Sequence, residues 1–177
     1  MADAFGKELI ALLPNLRRFA LSLCRSRDIA DDLVQITCEK ALANRAKFEP
    51  GTRLDAWLFR ILRNAWIDRG RRSQTEGVQI DIDDTHDLAS KEGAAVPENR
   101  LMLDATAKAI ATLPDDQREV LVLVCVEDLA YREVAEMLDV PIGTVMSRLA
   151  RARKKLSEIL GINEDEGRSD SRKGRSI

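Results

Sequence analysis

The chain has 177 residues, 45% hydrophobic and 33% charged with only 4% aromatic, enough for one or two packed domains and too rich in apolar residues for a disordered polymer. Its net charge of −2 excludes a uniformly basic nucleic-acid binder, and three cysteines without CxxC spacing exclude a disulfide scaffold or a zinc ribbon. Two units of roughly 60–70 residues would each bury only about 60% of their unfolded surface, so each would gain from a partner surface.

From the N-terminus, Leu9, Leu12, Leu13, Leu16, Phe19, Ala20 and Leu23 form a helical stripe. Pro14 interrupts it, which predicts two short helices or a kink. Ser26 or Asp28 can cap a second helix running to about Lys47, with Ile29, Leu33, Ile36, Lys40 and Ala43 along one line. Glu49-Pro50-Gly51 breaks the chain, and Thr52 is the expected cap of a third helix to about Arg72. The first domain is therefore placed at 1–72. Residues 73–97, with seven acidic against two basic groups to Arg100, are expected to be a flexible acidic linker.

A second domain is placed at 98–160 and a disordered tail at 161–177. Its second helix, about 115–127, is nearly all apolar from Val120 to Val126 and is expected to be the buried centre. Cys24, Cys38 and Cys125 all lie in apolar helical contexts and are expected to be reduced core residues. The fold class is all-α. No glycine-rich phosphate loop, nucleophile elbow or HExxH pair occurs, so neither catalysis nor a metal or other cofactor is expected; lone His86 has no companion ligand. No apolar run approaches the ~18 residues of a membrane span, and the first residues lack a basic leader, so a cytoplasmic protein is expected.

YREVAEMLDVPIGTVMSRLARARKKL has the layout of a helix-turn-helix. Asp139 stands where the turn needs positive φ, a conformation Asp tolerates, and Pro141 suits the start of the next helix. At about 100° per residue, Leu149, Ala152 and Leu156 lie within about 40° of Val145 and face inward. Gly143, Ser147, Ala150, Arg151 and Lys154 fall on the opposite side, Arg148 and Lys155 flank one edge and Met146 and Arg153 the other; Thr144, Ser147, Arg148, Arg151, Lys154 and Lys155 are the DNA-binding candidates. Arg suits guanine O6 and N7, so Arg151 is the first candidate for base readout, Ser147 and Arg148 follow, and Lys154 and Lys155 suit phosphates. Upstream, TRLDAWLFRILRNAWIDRGRR sets tryptophans among arginines, a pattern suited to single-stranded nucleic acid.

Together with ADDLVQITCEKAL, FEPGTRLDAWLFRILRNAWIDRGRR and LPDDQREVLVLVCVEDLAYREVAEMLDVPIGTVMSRLARARKKL, the chain resembles bacterial RNA polymerase sigma factors of the extracytoplasmic-function type. FEPGT-x-L-x-AWLF is most similar to the alphaproteobacterial general-stress subgroup; Met146, where a Lys is common, departs from it. The resemblance implies that the first domain docks on the β′ clamp helices of RNA polymerase core, with further contact to the β subunit, and captures the −10 element as opened single strand. The second domain would read the −35 element of promoter DNA. On the matching positions, Asp31, Asp32, Gln35 and Glu39 would meet the polymerase, and Trp57, Arg60, Arg63, Asn64, Arg69 and Arg71 the −10 strand. An anti-sigma factor is implied as a further partner. A stand-alone helix-turn-helix regulator and a sigma-mimicking interaction protein stay open as alternatives; the first would bind duplex DNA without polymerase, and the second would not need Arg148, Arg151, Lys154 and Lys155.

Overall fold

The structure, a computed structural model, describes residues 4–76 and 97–162; the tail from 163 and most of the acidic linker, with His86, lie outside the described residues. Every regular element among the described residues is helical, in two units.

In the first unit α1 (Ala4–Ala11) and α2 (Leu13–Cys24) meet at Leu12, with Pro14 in the opening turn of α2, where its missing N–H costs nothing. Arg25, at φ 56°, ends α2 by donating its N–H to Leu21. Ser26 then caps α3 (Arg27–Ala43), accepting the Ile29 N–H. The inward line of α3 is Ile29, Leu33, Thr37 and Ala41, whereas Lys40 of the expected line is exposed. A 3₁₀ turn at Arg45–Lys47 and Gly51 at φ 90° lead into α4 (Leu54–Glu76), which runs four residues past Arg72.

Thr52 does not act as the expected cap: its hydroxyl donates to the Glu49 carbonyl at 2.7 Å and closes the preceding turn. Asp55 serves the new helix instead, accepting the Ala56 N–H at 2.8 Å. Leu16, Leu33, Leu58 and Leu62 are fully buried around an edge-on pair of Phe19 and Phe59, ring centroids 5.2 Å apart. Phe59 is buried because α2 covers its flank of α4.

The second unit comprises α5 (Pro97–Ala111), α6 (Asp115–Leu121), α7 (Tyr131–Leu138) and α8 (Ile142–Leu160). The helix expected to continue to residue 127 leaves α geometry after Leu121: a π-helical turn spans Val122–Val126, and Glu127 donates its N–H to Val122, five residues back. That wider turn keeps Val122 and Leu123 inside but leaves Cys125 and Val126 exposed, against the expectation of a wholly buried helix and a core cysteine. Cys24 is buried and Cys38 half-buried, and burial pushes both thiols upward in pKa. The units are not separate beads. α2 packs on α6 and the π turn, and buried side chains of both units form one continuous cluster.

Candidate nucleic-acid interface

α7 and α8 form the helix-turn-helix. Asp139 adopts φ 55°, and the N–H groups of Asp139 and Val140 both point to the Ala135 carbonyl, ending α7 in one residue. Pro141 precedes α8, and Val145, Leu149 and Ala152 are buried, with Leu156 half-buried. Ser147, Arg151 and Lys154 are exposed on the other side, with Gly143 and Ala150 between them. These small residues leave the helix backbone open to close approach by a groove wall. The remaining candidates are more constrained. Arg148 lies 3.2 Å from Asp116 on α6 and is one-quarter exposed, while Thr144 and Lys155 are half-buried. Ser147 donates its hydroxyl proton to the Thr144 carbonyl at 3.0 Å. Arg153, on the flank, donates to the Cys125 sulfur at 3.6 Å.

On α4 the six −10 candidates separate. Asn64 and Arg71 lie within about 40° of Arg60 around the helix, and all three are exposed. Arg63 is turned away, donating from Nε to Glu119 of α6 at 2.7 Å, with both side chains largely covered. Arg69 points to the opposite side, 3.8 Å from Asp32 on α3. Trp57 is half-buried and packs with Phe5 and Phe48, ring centroids 6.4 and 5.4 Å away, so its ring is part of an aromatic cluster capped by Arg45 over Phe5. The polymerase candidates share the exposed side of α3: Asp31 is paired with Arg17 at 2.6 Å, and Gln35 donates to Glu39 at 3.0 Å.

Between the units lies a polar joint that the sequence reading did not single out. The Glu127 side chain has no exposure; it accepts from Arg18 at 2.7 and 3.0 Å and from Asn15 at 2.8 Å, all on α2. Arg118, 2% exposed, donates to the Ser22 carbonyl of α2 at 2.6 Å, to Leu113 at 2.8 Å and to Asp115. Burial pulls its pKa below the usual guanidinium value, against the pull of Asp115. Arg53 clamps Asp55 through two nitrogens and reaches the Asp128 carbonyl at 2.8 Å. Burial holds the Glu119 carboxyl above the ordinary range, although Arg63, Arg148 and Arg118 all pull it down. The only local sign was a charged triplet, Arg118-Glu119 and Glu127, bracketing an apolar run; periodicity gives no hint of where such groups find partners.

Among the described residues, no group of three His, Cys, Asp or Glu is gathered as metal ligands would be, and no helix is long and apolar enough to cross a membrane. Comparison with known proteins gives a consistent result. Residues 9–76 match the family described as sigma-70 region 2, and residues 103–156 match sigma-70, region 4. The chain is 39% identical over 173 residues to the ECF RNA polymerase sigma factor EcfG of Rhodopseudomonas palustris, covering 97% of this chain and 94% of that protein. It is 31% identical to the RNA polymerase sigma factor CarQ of Myxococcus xanthus, over 90% of each. Among solved structures it is similar to the sigma factor RpoE of Bartonella quintana, crystallised with the anti-sigma factor NepR: 37% identity, TM-score 0.74, covering 92% of this chain and 99% of that one.

Proposed function

The chain belongs to the sigma-70 family as a sigma factor of the extracytoplasmic-function type, and from that premise we propose how its surfaces divide the work of starting transcription. It binds RNA polymerase core and directs promoter-specific initiation in a stress response, under the control of an anti-sigma factor. It acts in the cytoplasm beside the polymerase and supplies specificity, leaving the chemistry of RNA synthesis to the larger enzyme. The likeness to EcfG favours the general-stress subgroup.

Residues 1–72 form the unit for core polymerase and the −10 element, and residues 98–160 the unit for the −35 element. The observation that carries this division is α8, dry on one side and basic with small residues on the other. Arg151 reads a base edge in the major groove, with Thr144, Ser147 and Arg148 beside it, while Lys154 and Lys155 hold phosphates. On α4 the exposed Arg60, Asn64 and Arg71 meet the opened −10 strand first; Arg63, Arg69 and Trp57 join as their present contacts loosen. Asp31, Asp32, Gln35 and Glu39 dock on the β′ clamp helices.

Run-off transcription with purified core polymerase on a promoter library tests the assignment. Selective initiation from a subset sharing two spaced elements is expected. Tight duplex binding by the chain alone, with no selective initiation on any template, would turn the reading into that of a stand-alone regulator.

A further inference from the structure

Glu127 is a fully buried carboxylate whose three side-chain hydrogen bonds all come from the other unit, from Arg18 and Asn15. A buried carboxylate without partners is strongly unfavourable, whereas the same group in water is fully solvated. Glu127 therefore has two comfortable states: clamped by α2, or exposed with the units apart. The other polar contacts of the joint, which lie beside the apolar cluster that the units share, have the same character, since Arg118 on the Ser22 carbonyl, Arg53 on the Asp128 carbonyl and Arg63 on Glu119 would each exchange a protein oxygen for water. Polar contacts of this kind add little net energy to the joint, because desolvation offsets most of the attraction. They open more readily than the apolar interfaces of permanent assemblies. Residues 77–96 connect the units, and a connection of that length reaches tens of ångströms at about 3.3 Å per residue.

What closure covers is specific. Arg63 is held through Nε by a carboxylate, an oxyanion as a DNA phosphate is. Its neighbours Arg60, Asn64 and Arg71 stay exposed, as does the acidic side of α3. We propose that Glu127 is a latch: clamped by Arg18 and Asn15 it closes the two units on each other, and closure withholds Arg63 on Glu119, so that single-stranded DNA and the second unit compete for the same guanidinium. The part concerning Arg63 rests on the reading of α4 given under Proposed function; the latch does not.

The test uses the full chain without polymerase, comparing wild type with Glu127→Gln, which removes the charge, and Arg18→Ala, which alters only a partly exposed side chain of α2 and leaves Glu127 with Asn15 alone and no opposite charge if the units stay closed. Small-angle X-ray scattering reads compactness, and circular dichroism checks that helix content is retained. Fluorescence anisotropy with a short labelled DNA single strand of mixed sequence reads access to α4. Both variants are expected to show a larger radius of gyration and about tenfold tighter binding, the gain if about a tenth of wild-type molecules are open at any moment. Adding Arg63→Ala to either variant should abolish that gain. Scattering that stays compact in Arg18→Ala overturns the latch, whether or not the chain is a sigma factor. Expansion without a gain in binding, or a gain that survives Arg63→Ala, overturns the masking of Arg63. Failure of the wild type in run-off transcription would instead strike the functional reading and leave the scattering result standing.

Discussion

At the scale of single residues, what separates the basic side chains is the company each keeps. Arg151 and Lys154 are exposed and carry no ion pair among the described residues, so neither must break a contact before meeting DNA. Arg151→Ala is expected to cost about 1–3 kcal/mol of discrimination between promoters, while Lys154→Ala weakens binding about evenly across sequences. Competition binding of polymerase holoenzyme to matched and mismatched −35 elements checks this; equal losses on every template for both variants would reject Arg151 as the base reader. Arg148 differs, because the proposed contact with DNA would have to replace its ion pair with Asp116. The opposition of Arg60 and Arg69 was legible from helical arithmetic. That Arg63 sits on Glu119 was not, since fifty-six positions separate the two in sequence.

Among the elements, the turn between α7 and α8 and the start of α4 show local chemistry deciding local shape. Asp139 holds φ 55° without glycine's freedom. Asp139→Gly would relieve about 1 kcal/mol of left-handed strain and lose about 0.4–1 kcal/mol through a freer unfolded chain, so stability should stay within about 0.5 kcal/mol of wild type. Asp139→Val, β-branched, should cost about 1–2 kcal/mol by denaturant unfolding.

At α4, burial pushes the Asp55 carboxyl up, but the hydrogen bonds from Arg53 and the Ala56 N–H together bring it below its ordinary value. A carboxyl whose pKa is lower folded than unfolded contributes stability above the unfolded value, about 3.9, and loses it as pH falls through the folded one. Asp55→Asn should therefore lower the thermal midpoint at neutral pH, and the gap to wild type should close as acidification passes below the ordinary carboxylate range. A gap that persists in acid would mean the carboxylate charge is not what matters there. The π turn at Val122–Val126 is an element that pattern did not foresee, because an apolar run looks the same whether its hydrogen bonds close four or five residues back.

For the whole molecule, two units too small for ample cores of their own share a surface, and the partner surface each was expected to gain from is the other unit. With the units packed together, Asp31, Asp32, Gln35 and Glu39 face solvent, so the proposed docking on polymerase would not have to wait for the units to part. Asp32→Arg combined with Gln35→Ala is expected to impair co-purification with core polymerase while leaving the circular dichroism spectrum unchanged. Undiminished co-purification would remove that side of α3 from the docking surface.

The presence of most helices, the break at Pro50-Gly51, the helix-turn-helix and the inward residues of α8 were legible in the sequence alone, because each depends on neighbours within a turn or two of chain, whereas the ends of α3, α4 and α6 were not. Which cations stay free, where Glu127 finds its partners and how the units meet were decided only by tertiary structure. Charges find partners through space, and Arg18 and Glu127, 109 residues apart in the chain, carry no mark of each other until the fold brings them within 2.7 Å.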